Sequence, residues 1–303
     1  MLMETASDAA TQTLVAETLA PAKINLTLQV VGPRADGFHE IRSLVAGIEL
    51  SDRIRLEQSG REGVECVCSE PALEGPDNLA CRAARELAVA RGIRPSIRIH
   101  LQKRIPVGTG LGGGSSDAAA ALNLCRAHWD LHLDDEELAA IGASVGSDIP
   151  LFMHLPSSVI TGRGENVCPM RLQWSGWVLL VFAGPAVSTA AVYRSFLMTD
   201  RPLVNPCLEE AVCRLRSADE IMALSCNHLE SAIFRVAPKV ADVFDQLNRV
   251  GLGPARVSGA GSAIYRLFDG FQEADRIARR VRKLGIGAKT EVVAVPAGPP
   301  RIF

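Results

Sequence analysis

Residues Pro106–Ser116 read PVGTGLGGGSS and place five glycines in one short stretch. The segment RPSIRIHLQ, which ends at Gln102, alternates polar and apolar side chains as a β-strand does. The alanine-rich segment DAAAALNLCRAHW follows the glycines directly. This stretch therefore predicts a strand, a glycine turn and a helix, in that order.

The glycine turn has the composition of an anion site. Glycine has no Cβ, so the backbone of the turn can take positive φ and approach an anion closely. The first amides of the following helix lack partners within the helix and lie at the positive end of its macrodipole, and Ser115 and Ser116 add hydroxyls there. The turn therefore predicts a polyphosphate site, against the alternative of a flexible linker or a plain helix start capped by one of these serines.

Two common nucleotide motifs fit this stretch poorly. A GxGxxG spacing starts at Gly108, but no βαβ pattern surrounds it. The acids that follow at the appropriate distance, Asp134 and Asp135, have the spacing of a helix cap. A Walker A loop is excluded because no lysine precedes the final serine. The available cation, Lys103, comes before the turn.

Two further segments flank the turn in sequence. The alternating segment KINLTLQV predicts a strand that directs Lys23, Asn25 and Thr27 to one face. A helix is predicted to start at Asp134, which forms a capping-box pattern with Glu137, and to stop near residue 146.

The pattern changes beyond about residue 160. WVLLVFAG predicts a buried strand, two or three amphipathic helices are expected across residues 206–250, and ARVSGAGSAIYRLF predicts a strand, a glycine turn and a strand. The helix EADRIARRVRKLG and the strand KTEVVAV follow. We therefore predict an α+β chain with an extension at 1–17, an N-terminal domain at 18–160 and a C-terminal domain at 161–303.

Composition limits the partners. The chain has 303 residues, of which 48% are hydrophobic and 22% charged, and a formal net charge of -2. This balance fits two folded domains and gives no reason to expect a nucleic-acid or membrane partner. Since no secretory signal or spanning segment is apparent, we expect a cytoplasmic protein. The eight cysteines form no CxxC pair, which favours reduced thiols over a metal or redox site, and the oligomeric state stays open.

Two ionisable residues are candidates for acid-base chemistry. Asp148 follows a predicted helix stop and precedes Ile149-Pro150, so it fits a general base and a helix N-cap about equally well. Lys23 is an unusual interior residue unless its charge has a partner, the alternative being an edge lysine that extends to solvent. Paired with Lys23, Asp148 would stay ionised and could orient a hydroxyl.

Four motifs together resemble a known family. PVGTGLGGGSS, preceded by PAKINLTL and followed by VGSDIPLF and VSGAGSAIY, resembles the motifs of the GHMP kinase superfamily in order and across nearly the whole chain. PAKINLTL with GPRADGFHEIRS is similar to members that phosphorylate the 2-hydroxyl of a cytidine-diphosphate-linked methylerythritol in non-mevalonate isoprenoid synthesis. The resemblance implies an S5-like N-terminal domain, a ferredoxin-like C-terminal domain and a site in the cleft between them.

The resemblance also implies roles for individual residues. It places Lys23 and Asp148 at the catalytic positions. It implies a substrate site that contains Asn25, Phe38, His39, Ser188 and Thr189. It implies ATP binding by Asn78, Lys103, Pro106, Val107, Gly108, Thr109, Gly110, Leu111, Gly112, Gly113, Gly114, Ser115 and Ser116. Magnesium is expected to bridge the ATP phosphates, with Ser116 as a candidate ligand.

Two positions depart from the family pattern. Phe38 stands where tyrosine is common, which keeps a stacking ring but removes a hydroxyl, and His228 replaces a frequent acid. The alternatives are another kinase of the superfamily, acting on homoserine, mevalonate or a sugar, and a relative that binds ligands without catalysis. An NAD-dependent oxidoreductase is a more distant alternative.

Overall fold

The computed structural model describes residues 14–200, 202–249 and 252–297. Its strands are β1 (Leu14–Asn25), β2 (Thr27–Pro33), β3 (His39–Gln58), β4 (Gly63–Cys68), β5 (Ser96–Gln102), β6 (Ser157–Gly162), β7 (Asn166–Pro169), β8 (Gly176–Phe182), β9 (Cys226–Asn227), β10 (Arg256–Val257), β11 (Ala263–Phe268) and β12 (Lys289–Val295). Its α-helices are α1 (Leu79–Ala90), α2 (Gly113–His128), α3 (Asp135–Val145), α4 (Thr189–Ser195), α5 (Leu208–Cys213), α6 (Ala218–Leu224), α7 (Glu230–Val236), α8 (Pro238–Arg249) and α9 (Phe271–Lys283). Short 3₁₀ helices lie at Pro71–Leu73, Pro150–Met153 and Met198–Asp200.

The long strand β3 organises the first sheet. Over the described residues this sheet has eight strands, in the order β4-β5-β3-β2-β9, with β1 and β6 also paired to β3 and β7 paired to β6. The pairs β4–β5 and β2–β9 are parallel and the others are antiparallel. Because β9 comes from the C-terminal half of the chain, the two halves are joined within this sheet.

Helices α1 and α2 cover one face of this sheet, and α3 packs against these two helices. Ala118 and Ala121 of α2 lie in the same buried cluster as Ala84 of α1 and as Ile54 and Ile97 of the sheet. Small side chains on α2 let its neighbours approach closely, and this packing fixes the helix whose first turn follows the glycine turn.

The second sheet is antiparallel and has the strand order β10-β11-β8-β12. Its core is continuous with that of the first sheet, since Ile24 and Leu44 share a buried cluster with Leu180 and Tyr265. The charged helix α9 buries Ile277 and Val281 against this half. The two-domain α+β architecture predicted from the sequence is confirmed.

Several local predictions are also confirmed. α3 begins with the expected capping box, in which the Glu137 amide donates to Asp134 Oδ1 at 2.8 Å, and it ends at Val145 with Gly146 as its C-cap. β5, the glycine turn and α2 follow in the predicted order. The β10–β11 hairpin and the final helix and strand match their patterns.

Other predictions differ from the structure. The first strand begins at Leu14, so residues 14–17 belong to the sheet and not to the extension, whose remaining residues lie outside the described part. Residue 160, the predicted boundary, lies inside β6, and the chain first enters the second sheet between Pro169 and Gly176. Four helices, α5–α8, lie where two or three were expected. Within the described ranges, no helix is long and apolar enough to cross a membrane.

Candidate active site

A cavity of about 1070 Å³ lies where elements of both halves meet. Ligand sites have roughly 300–1,000 Å³, so this cavity lies at the upper end of that range. The predicted site residues that line it are Lys23, Asn25, Phe38, His39, Asn78, Lys103, Asp148, Thr189 and positions 106–115 of the glycine turn. Ser116 and Ser188 lie outside this lining.

Three glycines of the turn take positive φ. These are Gly108, Gly110 and Gly112, whereas Gly113 and Gly114 form the first turn of α2. A Cβ on Gly110 would lie 2.0 Å from the carbonyl oxygen of Ser258. The requirement for glycine at this position therefore comes from the second glycine turn, between β10 and β11, which presses against the first.

Hydrogen bonds attach the turn to both sheets. The Lys23 amide donates to the Leu111 carbonyl at 3.0 Å, and the Ala263 amide donates to the Thr109 carbonyl at 3.1 Å. The Ser258 hydroxyl donates to the Gly110 carbonyl at 3.1 Å. The backbone of the turn is therefore held in place by neighbouring elements, with its other side open to the cavity.

Lys23 is buried beside the turn, with 5% of its surface exposed. Its ammonium donates to Asn25 Oδ1 at 2.6 Å and to the Gly110 carbonyl at 2.8 Å. Burial lowers the pKa of Lys23, and the negative charge of Asp148 opposes that shift. The predicted common face of Lys23 and Asn25 is confirmed, but a bend at Leu26 separates Thr27 from the cavity.

Asp148 lies half-buried in the loop between α3 and the 3₁₀ helix at Pro150–Met153. The residue that precedes this 3₁₀ helix as its N-cap is Ile149, and no side-chain cap bond is formed there. The capping interpretation of Asp148 is therefore wrong. Its carboxylate lines the cavity with Lys23, so the structure leaves it available to a ligand.

Lys103 lies below the turn in a buried cluster of charges. Its Nζ donates to Oδ2 of Asp52 and to Oδ2 of Asp117, and all three side chains are at most 5% exposed. The Ile105 amide donates to Asp52 Oδ1 at 2.9 Å, which fixes the start of the turn. Burial, with the adjacent charge of Asp52, raises the pKa of Asp117. The resemblance implied that Lys103 binds ATP, and in the structure its charge is shared between two carboxylates while it also lines the cavity.

Two predicted contact residues are helix caps. Asn78 caps α1, since its Oδ1 accepts from the Ala80 amide at 2.9 Å and its Nδ2 donates to the Leu73 carbonyl at 2.9 Å. Ser188 caps α4 by accepting from the Ala191 amide at 3.3 Å. Both cap interactions engage side chains that the family resemblance assigned to ligands.

Aromatic and cationic side chains form a second part of the lining, called here the aromatic wall. The Phe38 ring is 52% exposed, and the Arg163 guanidinium lies 5.1 Å from its centroid. The His39 ring stacks on Tyr193, with 5.3 Å between the centroids. Arg194 of α4 also lines this wall. A planar, anionic ligand would find both stacking surfaces and positive charge here.

Sequence reasoning missed five residues of the cavity and its support. Tyr193 lies one helical turn after the predicted Thr189, so the spacing on α4 could have indicated it. The others carried no local signal, because their positions depend on tertiary contacts: Asp52, Asp117, Arg163 and Arg194.

The departure at His228 has a local explanation. Its Nδ1 accepts from the Val30 amide at 3.2 Å, and its own amide donates to the Leu28 carbonyl at 2.9 Å. A carboxylate could accept the same backbone proton. The imidazole therefore keeps an acceptor where β9 meets β2.

Comparisons with known proteins agree with this geometry. Residues 78–154 match the family described as "GHMP kinases N terminal domain", and residues 208–287 match "GHMP kinases C terminal". The first match spans the glycine turn and Asp148, and the second ends after the β10–β11 turn. The chain belongs to the GHMP kinase family and is an ATP-dependent kinase that acts on a small molecule.

Three similar proteins carry the same specific name. The 4-diphosphocytidyl-2-C-methyl-D-erythritol kinase of Geobacter sp. (strain M21) is 37% identical over 266 residues, which cover 88% of this chain and 94% of the relative. That of Shouchella clausii (strain KSM-K16) is 34% identical over 277 residues, or 91% and 92% of the two chains. A crystal structure of 4-(cytidine 5'-diphospho)-2C-methyl-D-erythritol kinase superposes with a TM-score of 0.77 at 34% identity, covering 92% of this chain and 98% of the other.

Proposed function

We propose that this kinase transfers the γ-phosphate of ATP to the 2-hydroxyl of 4-diphosphocytidyl-2-C-methyl-D-erythritol. The observation that carries the proposal is one cavity lined by the glycine turn, by stacking rings and arginines, and by Lys23 with Asp148. The names of the relatives support the choice of acceptor.

The proposed reaction is one in-line displacement. The acceptor oxygen forms a bond to the γ-phosphorus, the bond from that phosphorus to the β–γ bridging oxygen breaks, and ADP leaves. Asp148 takes the hydroxyl proton, while the Lys23 ammonium orients the hydroxyl and stabilises charge on the phosphoryl oxygens. Amides at the start of α2 bind the phosphates.

A magnesium ion fits the side chains at the base of the turn. Ser116 Oγ and Asp117 Oδ1 are buried without a hydrogen-bond partner among the described residues. Hydroxyl and carboxylate oxygens are the donors that Mg²⁺ prefers, so these two residues would hold it with the ATP phosphates. The ion would neutralise phosphate charge.

The aromatic wall is proposed to select the cytidine. Phe38 stacks on the base and His39 hydrogen-bonds its polar edge, while Thr189 and Asn25 contact the polyol side of the acceptor. Arg163 and Arg194 supply positive charge for the diphosphate. Stacking alone tolerates any base, so the choice of cytosine must come from hydrogen bonds.

The test compares phosphorylation of the cytidine-linked substrate with that of free methylerythritol, mevalonate and homoserine. We expect turnover of the cytidine-linked alcohol alone. A uridine-linked analogue should react with a lower kcat/KM than the cytidine-linked substrate. Equal rates on the nucleotide-free alcohols would contradict the proposed acceptor and leave the kinase assignment intact.

A further inference from the structure

The bend between β1 and β2 lies directly beside the Lys23 ammonium. Both strands pair with β3, but Asn25 pairs with Val45 and Gln29 pairs with Arg42, so the β1–β2 side holds one residue more than β3 does. This is the pattern of a β-bulge, a feature that re-aims side chains next to active sites. Here the bulge re-aims Asn25, at the end of β1, and separates it from β2.

Two hydroxyl groups fill the gap that the bulge opens in the ladder. The Ser43 hydroxyl of β3 donates to the Thr27 carbonyl, and the Thr27 hydroxyl accepts from the Leu44 amide at 2.8 Å. Both side chains have 0% exposure, so bulk water does not reach these groups. The two hydroxyls therefore replace backbone hydrogen bonds that a regular ladder would make.

The Ser43 hydroxyl also determines which way the Asn25 amide points. A serine hydroxyl has one proton to donate, and Ser43 gives it to the Thr27 carbonyl. Toward Asn25, whose Nδ2 is 2.8 Å away, Ser43 can therefore only accept. This requirement turns the Asn25 carbonyl oxygen to the opposite side, where it accepts from Lys23 Nζ at 2.6 Å.

The rest of Asn25 is fixed independently. Its backbone amide donates to the Ser258 hydroxyl at 3.3 Å, and its backbone carbonyl accepts from the Tyr265 hydroxyl at 2.9 Å. The remaining freedom is rotation of the side-chain amide. The opposite orientation would direct an NH₂ group at the Lys23 ammonium.

We propose that Ser43 is a positioning residue for phosphoryl transfer, because its hydroxyl fixes the Asn25 amide with the oxygen toward Lys23. This inference rests on the role proposed above for Lys23. In this proposal Ser43 contacts neither substrate. It affects the reaction through Asn25.

The surroundings of Lys23 predict what loss of Ser43 would do. The ammonium has two neutral acceptors, Asn25 Oδ1 and the Gly110 carbonyl, and the charged group that faces it among the described residues is Asp148. The β10–β11 turn brings neutral groups to this region: the backbone of Gly259 lies close to Lys23, and the Ser258 hydroxyl donates to the same Gly110 carbonyl. If the Asn25 amide can rotate, the ammonium loses an acceptor while its burial is unchanged, so the pKa of Lys23 falls.

The experiment compares Ser43→Ala with Ser43→Thr, which keeps the hydroxyl, and with Thr27→Val, which removes the other hydroxyl of the bulge without touching Asn25. In Ser43→Ala we expect kcat to fall about tenfold, the KM for ATP to stay within about twofold, and the basic limb of the kcat profile to move down by about one pH unit. Ser43→Thr should restore both kcat and the position of the basic limb. Thr27→Val should lower the melting temperature without moving that limb.

Three outcomes would overturn the proposal. The basic limb of the kcat profile does not move in Ser43→Ala, it moves equally in Thr27→Val, or Ser43→Thr does not restore kcat and the position of the limb. If Ser43→Ala does not fold, Ser43→Cys takes its place, because a thiol is a weak donor and acceptor of similar shape. An NMR titration of the Lys23 side-chain nitrogen measures the fall in the pKa of Lys23 directly and does not require turnover. A wild-type enzyme inactive on the cytidine-linked alcohol would therefore contradict the proposed function while this measurement still tests Ser43.

Discussion

The two walls of the cavity are built in different ways. On the side of the glycine turn, charges have protein partners: Lys103 lies between two carboxylates, and Lys23 donates to Asn25 and Gly110. On the aromatic wall the Phe38 ring is half exposed and is covered by an exposed arginine. Groups that must stabilise a transition state benefit from being fixed in advance, whereas groups that recognise an acceptor need accessible surface. The difference suggests that the first wall determines rate and the second determines which alcohol reacts.

Removal of the Asp148 carboxylate should give the largest effect on rate. For Asp148→Asn we expect kcat to fall roughly 100-fold or more, because a positioned acid-base group is lost, and ATP affinity to change less than about twofold. The melting temperature should fall only modestly, since Asp148 caps no helix and its loss removes one favourable charge interaction with Lys23. Single-turnover kinetics and calorimetry measure the two quantities. Near-normal turnover in the folded variant would remove Asp148 from the proposed mechanism.

Contact between the two glycine turns can be disrupted at Gly110. In Gly110→Ala a Cβ would overlap the Ser258 carbonyl, so the phosphate-binding backbone must move, and we expect ATP affinity to fall about tenfold or more. Gly92→Ala is the matched control: Gly92 also has positive φ, at 64°, but a Cβ there meets nothing within 4 Å. The control should lose about 1 kcal/mol of stability and no ATP affinity. Equal ATP affinities for both variants, measured by calorimetry, would show that the contact does not shape the site.

The sequence was informative wherever the signal was local. The order of strand, glycine turn and helix, and the capping box of α3, each depend on neighbouring residues and were predicted correctly. The close approach of Gly110 to Ser258 joins residues 148 positions apart, and the contact of Lys103 with Asp52 spans 51 positions. Neither can be read from a local pattern. The bulge at Leu26 escaped prediction for the same reason, because it appears only in the register with β3.

The aromatic wall should respond in substrate binding and not in rate. Phe38→Ala should raise the KM for the cytidine-linked substrate about tenfold, since stacking on one aromatic ring contributes about 1–3 kcal/mol, while the KM for ATP is unchanged. Phe271→Ala is the control, because Phe271 is similarly exposed, at 48%, but lies outside the cavity. Phe38→Tyr should bind at least as well as the wild type. A fall in ATP affinity in Phe38→Ala would mean that the two walls are not separate.

The smallest effect should come from the buried charges below the glycine turn. Burial and the charge of Asp52 raise the pKa of Asp117 above its value in the unfolded chain, so the native state holds this proton more tightly. The resulting stability is complete below the unfolded pKa, about 3.9, and is lost as pH rises through the higher native pKa. The free energy of unfolding should therefore decline across mildly acidic to neutral pH.

In Asp117→Asn, which keeps an oxygen for Lys103, we expect this decline to be smaller by roughly 1 kcal/mol, measured by urea unfolding between about pH 4 and pH 8. Asp245→Asn, at an exposed position of α8, should follow the wild-type decline. An equally steep decline in Asp117→Asn would show that Asp117 is fully ionised in the native protein, with Lys103 balancing both carboxylates.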